Sequence, residues 1–206
     1  MLLDEPLSNL DPDLRVRTRR QLRQAVKAVG IAAVWVTHEQ EEAFDVADRI
    51  ALLNHGRLEQ VGTAQALYRT PRTSFVAAFV GRASSIEGVV IAENTIRLGD
   101  DRFVGRGVQW SVEVVGEAEA GTEVEVVFRP ESMRIVAEGS GSLSGQVESR
   151  HYVGDATFFT VALDLGSTVT VRGLLEQAES GDRVWIALSP EGPPPRAFPI
   201  RSEESP

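Results

Sequence analysis

Two architectures in series are expected from the sequence: an α/β part over residues 1–81, then an all-β part over residues 85–200, with residues 201–206 as a disordered tail. Three observations lead there. Strand-like and helix-like segments alternate up to about residue 80, as in sheets covered by helices. From Gly81 the helical periodicity stops, and short Val/Ile-rich runs separated by Gly, Ser, Asp and Asn replace it. The second part also repeats itself weakly.

Met1-Leu2-Leu3-Asp4-Glu5-Pro6 is a short apolar strand ending in two carboxylates, with a proline that takes the backbone out of regular structure. Asp11-Pro12 places a capping residue before a proline at the first helical position, and Gly30 is suited to the residue after the last turn. Leu14, Thr18, Leu22, Ala25, Val26 and Val29 recur at helical spacing between them. Arg15, Arg19, Arg23 and Lys27 make a second stripe, expected to be a solvated face. Ile31 to Thr37 is a nearly continuous apolar run that suits a strand buried on both faces. A helix with acids in its first turn is expected from about Glu39. A hairpin should follow, with Arg49–Leu53 turning at Asn54-His55-Gly56 into Arg57–Gly62. Two short helices, Ala64–Arg69 and Ser74–Val80, close the first part.

In the second part, Gly121–Glu131 aligns without gaps on Gly181–Glu191, and Ser85–Val90 aligns on Ser142–Val147. Two matched pairs in the same order argue for two related β-units rather than one sandwich.

Composition narrows the functional classes. The chain has 206 residues and no cysteine, which excludes disulfides, thiolate chemistry and cysteine metal sites. No run approaches the roughly 18 to 20 apolar residues of a membrane-spanning helix, and no signal peptide is recognisable, so a cytoplasmic location is expected. The net charge of −9 falls entirely after residue 80, which argues against nucleic acid as a partner of the β part.

The chemistry is concentrated near the first strand. Acids at the carboxyl end of a strand lie where an open α/β sheet holds its ligand. There a carboxylate can hold Mg²⁺ through water, and a neighbouring one can orient an attacking water. Asp4 and Glu5 fit those roles in that order. His38, at the end of the next parallel strand, would share their edge and could contact a terminal phosphate. Taken singly, each is an ordinary solvated residue.

Their joint register is what identifies them. Asp4, Glu5, Pro6, Ser8, Leu10 and Asp11 resemble the Walker B segment and D-loop of ABC-type ATPases. Val36-Thr37-His38-Glu39-Gln40-Glu41-Glu42-Ala43 resembles the family's H-loop, and Ala47-Asp48-Arg49-Ile50 with Asn54–Thr63 the strands after it. Pro71 to Gly81 is similar to the exit into an accessory domain of solute-importer ATPases. Arg129-Pro130-Glu131 resembles the signature of that domain, called TOBE and built from OB-like β-units. The resemblance implies a partial P-loop NTPase sheet followed by a TOBE domain of two such units. It also implies ATP and Mg²⁺ as cofactors, with Asp4 as metal ligand and Glu5 and His38 as catalytic residues. Ser8 and Asp11 would contact nucleotide across a dimer interface, and Asp11 can equally serve as helix cap. The implied partners are a second ATPase subunit and membrane permease subunits, at the inner face of the cell membrane. The sequence contains neither a Gly-x-x-x-x-Gly-Lys-[Ser/Thr] phosphate cradle nor the Leu-Ser-Gly-Gly-Gln-type signature. This chain alone is therefore expected neither to bind ATP tightly nor to hydrolyse it. The alternative is a non-catalytic module whose β-domain senses a small ligand or partner.

Overall fold

The structure is a computed structural model that describes residues 1–99 and 108–200. The tail expected over 201–206 lies outside the described residues. By packing, the chain divides into two compact units, Met1–Pro71 and Arg72 onward. That division lies upstream of the expected Gly81–Ser85 boundary.

In the first unit, β1 (Leu2–Asp4) runs into a loop and then α1 (Pro12–Val29). Pro12 opens the helix as expected, and Gly30 closes it at φ 71°, a left-handed conformation that suits a residue without a Cβ. β2 (Val34–Val36) pairs parallel with β1, placing Asp4 opposite Val36. Next comes α2 (Gln40–Val46), then a hairpin of β3 (Ile50–Asn54) and β4 (Arg57–Gly62). Its turn has positive φ at both His55 (45°) and Gly56 (76°), the pattern whose twist matches paired strands. α3 (Ala64–Arg69) ends the unit, capped by the Thr63 side chain, which accepts from Ala66 N–H.

Two expectations are corrected here. β2 is three residues long rather than seven, and Val34 and Val36 are 61% and 45% exposed. A continuous apolar run means only that a strand can be covered on both faces. The arginine stripe is also not simply solvated. Arg19 is 5% exposed, with Nη1 donating to Asp45 Oδ2 at 2.6 Å and to the Glu41 carbonyl at 3.2 Å. Lys27 Nζ donates to both Asp48 carboxylate oxygens at 2.7 and 2.8 Å, and Arg15 lies 3.7 Å from Glu39. The stripe faces the acids on and beside α2, so opposite charges tie the two helices together.

Asp48 provides a pH test of that tie. The hydrogen bond from Lys27, then the Lys27 charge, then that of Arg23, holds its carboxyl below the usual carboxylate value. A lowered acid constant in the folded state adds stability above the unfolded value of about 3.9 and loses it as pH falls through the folded value. Asp48→Asn is therefore expected to flatten the acid limb of a urea-midpoint profile below about pH 4. Superimposable profiles would contradict the pairing.

The second unit begins with α4 (Ser74–Phe79), capped by Thr73, followed by a β array. One sheet contains β5 (Ser84–Ala92), β6 (Thr95–Leu98), β7 (Val108–Ser111), β8 (Glu113–Val114) and β9 (Glu123–Phe128). The other contains β10 (Met133–Val136), β11 (Leu143–Tyr152), β12 (Thr157–Leu163), β13 (Thr168–Gly173) and β14 (Arg183–Leu188). The last strand, β15 (Arg196–Pro199), joins the first sheet. Their spatial orders are β7-β6-β5-β9-β15-β8 and β13-β12-β11-β14-β10.

The sequence repeat reappears in the hydrogen-bond register. Gly88 lies opposite Val124 and Ile86 opposite Val126; Gly145 lies opposite Val184 and Leu143 opposite Ile186. Gly121 N–H donates to the Val90 carbonyl, and Gly181 N–H to the Val147 carbonyl, each at 2.8 Å. The two related units expected from the repeat share one core, however. Each unit's closing strand comes from the other: β10, which follows β9, pairs with β14, and β15, which follows β14, pairs with β9. The crossings touch, since Ser132 Oγ donates to the Pro193 carbonyl at 2.7 Å. One continuous core results, from Ile86, Ile96, Val126 and Phe128 to Val147, Phe159, Val171 and Ile186.

α4 belongs to this unit because Arg129 holds it. The 5% exposed guanidinium donates from Nη1 to the Ala77 carbonyl at 2.6 Å and to the Val80 carbonyl at the helix end. Ala77 packs with Val127 and Phe198 beneath it.

Candidate functional site

Parallel pairing of β1 with β2 places their carboxyl ends together, and the site is built there. Glu5 N–H donates to the Val36 carbonyl at 2.9 Å, so the backbone ladder continues one residue past β1. Glu5 itself has φ 41°, left-handed for a residue with a side chain, a conformation that costs about 1 kcal/mol or more and is concentrated at functional sites. Pro6 follows it. The result is that Glu5 Oε1 lies 3.1 Å from His38 Nδ1.

Around this pair, a small open pocket is lined by Glu5, Ser8, Arg15, Thr37, His38, Glu39 and Glu42. Ser8 Oγ donates to the Glu5 carbonyl at 3.0 Å and so braces the loop from within. Thr37 Oγ1 accepts from Glu39 N–H at 3.0 Å, fixing the turn that presents His38. Below, Glu42 is 3% exposed and accepts from Trp35 Nε1 at 3.3 Å, which anchors α2 to β2. Glu5 and His38 remain about half and two-thirds exposed, open to a ligand.

The expected residues are thus distributed unevenly. Glu5, His38 and Ser8 come together in one pocket. Asp4 is the last residue of β1, exposed, on the same strand edge. Asp11 stands at the cap position of α1 without a side-chain capping hydrogen bond. Sequence reasoning missed Arg15, Glu39 and Glu42 as pocket residues. The available signals were an arginine one turn after the cap and acids directly following His38.

The site offers one carboxylate for a cation, one carboxylate–imidazole pair for a water, and a hydroxyl-braced loop. Among the described residues there is no cluster of three or more His, Asp or Glu that could hold a metal by itself. That donor set fits Mg²⁺, which typically takes one or two protein carboxylates and completes its shell with water and substrate phosphates. No helix among the described residues is long and apolar enough to cross a membrane.

Adjacent acids at a strand edge, followed by a repeated β array, define a class. The chain is a homologue of the ATP-binding subunits of ABC importers and carries a TOBE domain, matched over residues 126–193. Among its relatives is the spermidine/putrescine import ATP-binding protein PotA of Frankia alni, 36% identical over 93% of this chain and 44% of the relative. PotA of Borreliella afzelii is 33% identical over 93% of this chain and 52% of its own length. The Fe(3+) ions import ATP-binding protein FbpC of Rhizobium etli is 38% identical over 86% and 49%. The chain spans about half the length of the curated relatives it matches. It is also similar, at TM-score 0.42 and 19% identity, to the solved cytoplasmic molybdate-binding protein ModG, over 52% of this chain and 90% of that one. That likeness is too slight to argue from.

Proposed function

We propose that this chain is the C-terminal part of the ATP-hydrolysing subunit of an ABC importer. In this reading, residues 1–81 supply the acidic side of the nucleotide site and residues 85–200 form the regulatory TOBE domain. The observation that carries it is the 3.1 Å approach of Glu5 Oε1 to His38 Nδ1 at the ends of adjacent parallel strands. Glu5 orients and polarises the attacking water, and His38 holds that carboxylate and reaches toward the terminal phosphate. Asp4 would hold Mg²⁺, which when bound neutralises phosphate charge. Ser8 and Asp11, on the loop between β1 and α1, contact nucleotide bound to a second such subunit. Membrane permease subunits are the other partners, which puts the assembly at the inner face of the cell membrane. The cargo would be a polyamine or ferric iron, as the names of the relatives suggest.

By itself the chain is expected not to bind Mg·ATP tightly, because no Gly-Lys phosphate cradle is encoded in it. Calorimetric titration with Mg·ATP tests this, and micromolar affinity would refute it. The catalytic assignment is tested in a chimera that completes the chain with the remaining half of a relative such as the Rhizobium etli iron importer subunit. Glu5→Gln in that chimera is expected to cut ATP turnover by about 100-fold or more, the usual contribution of a positioned general base. Turnover within twofold of the parent would remove Glu5 from the role.

A second reading follows from the TOBE match at residues 126–193: a binding module that senses a small ligand or a partner. Calorimetry of the full chain with molybdate, sulfate and spermidine separates the two, since saturable binding without ATP would favour the module.

A further inference from the structure

We infer that Arg15 is a positioning residue that sets the loop carrying Glu5 and Ser8 and the turn carrying His38 in register with each other. The inference rests on the reading of Glu5 and His38 as the catalytic pair, and it adds a residue that reading does not contain.

Arg15 lies one turn into α1, its backbone N–H bonded to the Asp11 carbonyl at 2.8 Å. Its guanidinium reaches in two directions. Nη2 donates to the carbonyl of Leu10, on the loop between β1 and α1, at 3.3 Å. Nη1 lies 3.7 Å from Glu39 Oε1, and that same oxygen lies 3.8 Å from His38 Nε2. His38 Nδ1 in turn faces Glu5. The chain Leu10–Arg15–Glu39–His38–Glu5 therefore starts and ends on the same loop and encloses the pocket that these residues line. Besides it, the backbone pairing of β1 with β2, continued by Glu5 N–H to the Val36 carbonyl, joins the strand ends.

Two features distinguish Arg15 from an ordinary surface arginine. Its side chain is 26% exposed, well below those of Arg23 at 45% and Lys27 at 55% on the same helix. The double reach also needs the planar fork of a guanidinium, because an ammonium is a point donor and cannot serve the carbonyl and the carboxylate in fixed geometry. The consequence is leverage: a shift of about 1 Å at a reacting group can cost about 100-fold in rate.

The test uses the full chain and reads geometry, so that it is independent of whether Glu5 is catalytic. With ring-labelled histidine, the His38 signal is assigned by its loss in His38→Gln, and backbone amides of residues 8–11 are followed at one fixed pH. Arg15→Gln is expected to shift both the His38 ring signal and the loop amides, and Arg15→Lys to restore at most one of them. Glu39→Gln is expected to shift the loop amides through Arg15, and to do nothing further to them once Arg15→Gln is present. The inference is overturned if Glu39→Gln leaves the loop amides in place, or if its effect on them is unchanged in the Arg15→Gln background. Should Arg15→Gln unfold the first unit, Glu39→Gln alone decides. Failure of the Glu5→Gln turnover test with these shifts intact would instead reject the catalytic reading and leave the linkage standing.

Discussion

Arg129→Ala is expected to destabilise the second unit by about 2 to 5 kcal/mol, and to release α4 before the sheets unfold. The substitution removes the donor from two carbonyls at the end of α4, those of Ala77 and Val80. Each buried acceptor left without a partner costs roughly 1 to 3 kcal/mol, and the vacated space above Ala77, Val127 and Phe198 adds to that. Urea unfolding measures the total. Hydrogen exchange at residues 76–80 measures the order, with protection there falling further than in β9. A loss below about 1 kcal/mol would mean that the guanidinium is dispensable and that apolar packing alone holds the helix.

Gly145→Ala is expected to cost about 3 kcal/mol or more, near the upper end for overpacking. A Cβ at Gly145 would lie 2.3 Å from the Ala162 carbonyl oxygen and 2.9 Å from Leu163 Cα, both backbone atoms of the paired strand. Backbone cannot step aside as a side-chain tip can. Gly88 occupies the matching place in the other sheet, where the new atom would meet the Arg97 carbonyl oxygen at 2.7 Å and Ile96 Cγ2 at 2.8 Å. Gly88→Ala should therefore cost less, about 1 to 3 kcal/mol, and the difference between the two measures how far the repeated units have diverged. Equal losses, or a larger one at Gly88, would contradict the closer approach at Gly145.

Much of this architecture was legible in the residues, and what was hidden shares a cause. Asp11-Pro12 and Gly30 located α1 because capping chemistry is local. Asn54-His55-Gly56 located the hairpin for the same reason. The pairing of segments about residues 88 and 124 with those about 145 and 184 was legible as a repeat, since repeated sequence builds repeated register. What could not be read was which distant element would answer a given residue. Arg19 and Asp45 are separated by a loop, a strand and a helix start, so a charged stripe looked solvated. The exchange of β10 and β15 left no mark on periodicity, because a strand's alternation is the same whichever neighbour it finds. At the site, Glu5 and His38 were recognisable as strand ends. Arg15, Glu39 and Glu42 were not, since their positions depend on how α1 and α2 meet.

The exchanged strands have a consequence for how the chain is made. β9 pairs with β5 on one side, but its other edge is completed only by β15, about 70 residues later. At about 5 to 20 residues per second, a ribosome needs roughly 3 to 14 seconds to deliver that strand. During that interval Val126 and Val127 present an unfilled ladder to any other nascent chain nearby, the situation in which edge-to-edge association begins. The first half of the β array is thus committed early and finished last, and its vulnerability is set by translation speed as much as by stability.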